Sequence, residues 1–90
     1  MTVVIDASVA VKWPSPEPDS DKARAILQDA REGRLSMLAP EILPAEVANY
    51  LWKAVIRGGL DSMAAFAQYE RFRRACPELV RISVLAQTAL

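Results

Sequence analysis

The stretch VVIDASVAVKW, Val3 to Trp13, opens on an unbroken β-branched run that ends on a carboxylate. Val3-Val4-Ile5 is apolar without alternation. That is the pattern of a short strand covered on both faces, as parallel sheets produce. Asp6 stops the run. Ala7 to Lys12 then reads as a short helix or turn, with Asp6 or Ser8 placed to cap it. A buried strand that delivers an acid to its tip, with a hydroxyl two residues on, raises a chemical question as well as a structural one.

Working outward, WPSPEPDSD holds three of the six prolines and reads as a loop over Pro14 to Pro18. Asp19 or Ser20 caps the next helix, whose apolar positions Ala23, Ile26, Leu27 and Ala30 recur at helical spacing. Gly33 follows it in the usual C′ place. LSMLAP, Leu35 to Pro40, reads as a second strand. PEILPAEVANYLWKAVIRGG is the strongest helix, starting around Glu41 to Pro44 and stopping at Gly58-Gly59. Val47, Leu51, Ala54 and Val55 form its apolar stripe, while Glu46, Asn49 and Lys53 share a different one. Asp61 caps a helix over Ser62 to Ala75, with Met63, Phe66, Ala67 and Phe72 as apolar positions. Glu78 to Ser83, ELVRIS, reads as a third strand, and VLAQTAL as the opening turns of a last helix.

The order β-α-α-β-α-α-β-α predicts an α/β sandwich with a parallel sheet and right-handed crossovers. Ligands collect at the carboxyl ends of the strands in such sheets, and Asp6 lies at one of them. The 90 residues predict a single domain, 1–90. A content of 52% hydrophobic and 24% charged residues is ordinary for a globular protein and carries no sign of disorder.

Eleven basic and eleven acidic side chains give a formal charge of zero, which argues against nucleic-acid binding by bulk charge alone. The cluster Arg71, Arg73 and Arg74 reads as a solvated helix face. Cys76 is the single cysteine, so no internal disulfide forms, and it reads as a small apolar filler near a helix end. With no leader pattern and no apolar stretch of the roughly 18 residues a membrane span needs, a cytoplasmic setting is expected. Histidine is absent, which excludes Ser-His-Asp and Cys-His catalysis and imidazole-bound zinc. There is no GxGxxG, Walker A, CxxC or GxSxG sequence and no aromatic RNA-stacking motif.

Whatever chemistry the chain has therefore comes from carboxylates, hydroxyls, amides, lysines and arginines. Singly, Asp6 and Ser8 read as caps, and Glu41 and Glu46 as acids that suit a helix dipole. In combination, Asp6 after the first strand and Glu46 in the first turns after the second would face one crevice if those strands are adjacent. Two acids there repel unless a cation or a proton joins them. Carboxylates with water and a hydroxyl suit Mg²⁺ or Mn²⁺, which can bind a phosphate oxygen and activate water.

VVIDASVAVKW followed by LAPEILPAEVANYLWKAVIRGG resembles the start of a PIN-domain protein of the VapC toxin type. The intervening PSPEPDSDKA, the helix after Asp61 and ELVRIS fit that pattern in order and spacing. The resemblance implies a three-layer α/β/α, flavodoxin-like fold of strand order 3-2-1-4-5. It also implies a Mg²⁺-dependent endoribonuclease that cuts structured RNA, acts as a homodimer and is held inactive by a VapB-like antitoxin. Asp6 and Glu46 match the first two acids of the family's metal site. Ser8 matches a hydroxyl that supports the metal or its water, and Asn49 a polar position on the same helix face.

The family normally supplies two further acids, in segments like S-x-x-D-A and T-x-D, and this chain ends at Leu90 ahead of them. A C-terminally truncated PIN domain with three of the usual five strands is thus expected, its first strand left with an unpaired edge. Two functional readings follow: a Mg²⁺-dependent endoribonuclease toxin, or a PIN remnant serving as an antitoxin-binding or dimerisation module. A nucleotide-binding α/β domain of another kind is a third, disfavoured by the lack of a glycine phosphate loop.

Overall fold

Three short strands lie side by side and run the same way in the computed structural model, which describes residues 1–14 and 20–89. The elements are β1 (Thr2–Val4), α1 (Ala7–Ala10), α2 (Asp21–Arg31), β2 (Ser36–Pro40), α3 (Leu43–Ile56), α4 (Ser62–Ala75), β3 (Glu78–Val80) and α5 (Ile82–Ala89). The sheet order is β1-β2-β3, parallel throughout. Val3 sits opposite Met37, and Ala39 opposite Leu79. One bond beyond β1, the Ile5 amide donates to the Leu38 carbonyl at 2.8 Å. One bond beyond β2, the Glu41 amide donates to the Val80 carbonyl at 3.0 Å. The molecule is thus a mixed α/β fold with a parallel sheet, as its β/α alternation predicts.

The core is built where strand tips meet helices. Ile5, Ala39, Leu43, Val47 and Phe72 are almost wholly buried and belong to one apolar cluster. Trp13 joins it from the end of the α1 segment, its ring stacked on Phe72 with centroids 6.5 Å apart. The Trp13 indole Nε1–H donates to the Ala23 carbonyl at 3.0 Å, so the ring is buried with its polar group satisfied. Tyr69 completes an aromatic trio, 5.8 Å from Phe72.

Several expectations are corrected by packing. Val3 to Ile5 is not covered on both faces: Ile5 is buried and Val3 half-buried, while Val4 is 42% exposed beside exposed Thr2. A run of β-branched residues reads alike with one covered face or two; here β1 is an edge strand with one face open. On α4, Met63, Phe66 and Ala67 are exposed, and the inward positions are Ala65, Tyr69 and Phe72, spaced four and three apart. ELVRIS yields only three strand residues, because the Arg81 carbonyl accepts from the Leu85 amide and Ile82 already starts α5.

Ser20 holds the N-cap position of α2 without capping it. Its backbone is helical (φ −78°, ψ −8°) rather than extended, so its buried hydroxyl makes no bond to the helix amides. The proline-rich loop beyond Pro14 and the alternative cap Asp19 lie outside the described residues. Asp61, by contrast, is extended and accepts from the amides of Met63 at 2.8 Å and Ala64 at 3.2 Å. Gly33 and Gly58 take the left-handed conformation (φ +79° and +78°) that releases the chain from α2 and α3. Cys76 is half-buried against the core with its thiol pKa raised by burial, the inert setting expected of a packing residue. Among the described residues no helix is long and apolar enough to cross a membrane.

Phe72→Ala is expected to cost about 3–5 kcal/mol, and Phe66→Ala within about 0.5 kcal/mol of nothing, read from denaturant midpoints. Equal losses at the two positions would contradict the assignment of the inward face of α4.

Candidate active site at the carboxyl edge of the sheet

Asp6 follows Ile5 immediately, so the strand that buries Ile5 fixes where the carboxylate stands. Its backbone is extended (φ −102°, ψ 174°) and it caps α1. The Ser8 hydroxyl donates to Asp6 Oδ1 at 2.6 Å and the Val9 amide to the same oxygen at 3.1 Å. The cap and the candidate acid are thus one residue. Both bonds fall on Oδ1, and none among the described residues falls on Oδ2. The side chain is exposed.

The Ser8 hydroxyl holds the Asp6 carboxyl below its ordinary pKa, with the amides of Val9 and Ser8 adding to it and partial burial opposing it. Those hydrogen bonds favour the ionised form. Their contribution to folding is full above the unfolded-state value of about 3.9 and fades as pH falls through the lower folded value. Asp6 is therefore a dedicated anion at neutral pH, suited to binding a cation and unsuited to donating a proton.

Glu46 lies in the first turn of α3, where the helix dipole favours a negative charge. Leu43 and Val47 on either side are buried at 0% and 1% exposure, which leaves Glu46 on the solvent side of that turn. Asn49, three residues on, is exposed as well. Because β1 and β2 are adjacent and parallel, Asp6 and the start of α3 share the carboxyl edge of the sheet, and α1 packs against α3. The structure joins Asp6 and Ser8 directly. It places Glu46 and Asn49 on the neighbouring element, with no hydrogen bond from either to Asp6 or Ser8 among the described residues. No group of three or more His, Cys, Asp or Glu gathers there into a metal-holding cluster among the described residues.

The arginine cluster of α4 divides in a way the sequence reading misses. Arg73 faces Glu70 at 3.5 Å, while Arg71 and Arg74 line a cavity with Arg24 and Arg31 of α2. The spacings, three residues on α4 and seven on α2, carry the signal: each pair lies on one helix face.

No protein-family model matches the chain, and no curated protein matches it. Replacing Ser8 by Ala is expected to raise the Asp6 carboxyl pKa toward its ordinary value, as followed by carboxyl-carbon NMR titration. An unchanged Asp6 titration would show that the hydroxyl does not hold the ionised form.

Proposed function

We propose that this chain is a PIN-like, VapC-type domain acting as a Mg²⁺-dependent endoribonuclease toxin of a type II toxin–antitoxin system. The observation that carries the reading is Asp6: a carboxylate at the tip of a parallel strand, kept ionised by Ser8, with Glu46 at the head of the helix that follows the adjacent strand. The β1-β2-β3 order supports it, being the 3-2-1 part of the five-stranded 3-2-1-4-5 order of that family. A three-layer α/β/α arrangement, a homodimer and a VapB-like antitoxin belong to the same proposal.

The donor set fits Mg²⁺ or Mn²⁺. Mg²⁺ is commonly held by one or two carboxylates, keeps several waters and completes its shell with substrate phosphate. Asp6 and Glu46 supply hard anionic oxygens of that kind. When bound, the ion supplies charge neutralisation at the scissile phosphate and acidifies water for attack. Ser8 bonds Asp6 through Oδ1, which leaves Oδ2 without a bond among the described residues and able to take a cation; the Ser8 hydroxyl oxygen would orient a water. Asn49 offers a neutral donor and acceptor on the Glu46 face of α3.

A second reading, a remnant that binds an antitoxin or a second copy without cleaving RNA, is favoured by the apolar side chains left in solvent on α3 and α4. Tyr50, Trp52, Ile56 and Phe66 are 56–68% exposed. The two readings part on one assay. RNA cleavage in Mg²⁺ or Mn²⁺ is expected from the wild type and lost in Asp6→Asn and Glu46→Gln, with Ser8→Ala reduced by about 10–100-fold as for a residue that orients a ligand. Equal activity in wild type and Asp6→Asn would refute the catalytic assignment, and no activity in either would leave the module as the reading.

A further inference from the structure

A cavity of about 360 Å³ opens where α2 and α4 meet the end of the α1 segment. Trp13, Leu27 and Ala75 give it apolar walls, and Arg24, Arg31, Arg71 and Arg74 surround it. Four of the eleven basic residues of a chain with zero formal charge thus share one hollow.

Elsewhere Arg34 and Arg73 are matched to acids, whereas Arg57 and Arg81 are exposed without an ion pair among the described residues. Arg34 reaches Asp29 at 3.1 Å and also contacts Glu32, and Arg73 faces Glu70. Around the cavity Arg24 is held by Asp21 at 2.9 Å. Arg31, Arg71 and Arg74 make no hydrogen bond or ion pair among the described residues. Like charges three residues apart on a helix weaken it, and cations gathered in a hollow repel. The arrangement stands against that repulsion, and a bound anion would remove it.

Guanidinium groups bind phosphate through paired N–H donors in a fixed fork, and several converging forks suit a multiply charged phosphate better than a single carboxylate. The volume lies at the low end of the roughly 300–1,000 Å³ of small-ligand sites, the size of a single phosphate-bearing unit. We propose that Arg31, Arg71 and Arg74, with Arg24, form a binding site for a phosphate ester, supplied either by a free nucleotide or by one nucleotide of an RNA strand. Neither Asp6 nor Glu46 lines this cavity, so the site stands independently of the cleavage reading.

Trp13 in the cavity wall is a built-in reporter. In a Trp52→Phe background its emission can be titrated, in chelator and without divalent metal, with inorganic pyrophosphate, a nucleoside triphosphate, a short single-stranded RNA and polyglutamate. Saturable binding of a phosphate probe is expected, weakened about tenfold or more for each arginine changed to Gln, the loss of a charge-assisted hydrogen bond. Arg71→Lys and Arg74→Lys should restore only part of it, because the charge returns without the fork. Binding of the nucleotide alone identifies a free nucleotide, and binding of the RNA alone identifies a strand; either supports the site. The exposed Arg71 and Arg74 should be replaceable by Gln with no fall in melting temperature, and Arg31→Gln gives a separate test on α2. Phosphate binding weaker than about 1 mM, equal binding by the Gln variants, or polyglutamate binding as tightly as RNA would overturn the proposal.

Discussion

The pairing of β1 with β2 is the constraint on which the rest depends. Ile5 continues that ladder through its amide to Leu38 while its side chain is 1% exposed in the core. Because side chains alternate along a strand, a slip of one residue would drive Val4 inward and Ile5 out. The same slip would turn Asp6 toward the opposite face of the sheet. Burial of one isoleucine thereby sets the position of a carboxylate whose neighbours favour its ionised form.

From that edge the charges divide. Asp6 and Glu46 stand at the carboxyl end of the sheet, whereas four arginines collect where α2 meets α4, at the far end of the segment that Asp6 begins. A formal charge of zero conceals this separation. Charge that is balanced in sum and divided in space favours anionic partners at one place and cations at another, which bulk composition cannot express.

The parallel α/β architecture was legible in the alternation of short apolar runs with helical periods, and the helix limits at Asp61 and Gly58 followed from local backbone chemistry. Asp6 and Ser8 were legible as a pair because they are two residues apart and the cap geometry joins them locally. Less legible was whatever depended on a distant partner. Nothing within Val3 to Ile5 tells whether both faces are covered. Phe66 and Phe72 are equal in chemistry, and only the packing of α4 against the core, Trp13 included, decides that Phe72 is the buried one. Arg71 and Arg74 read as a solvated face until α2 is placed beside them.

The central claim is that Asp6 and Glu46 share a divalent cation at the sheet edge. Paramagnetic broadening by Mn²⁺ in amide NMR spectra tests it most directly. The account predicts saturable, localised broadening of the Asp6 to Val9 amides together with those around Glu46, reversed by Mg²⁺ and abolished at both segments by Asp6→Asn. Broadening spread evenly over the exposed acids, or confined to one segment and indifferent to Asp6→Asn, would contradict it.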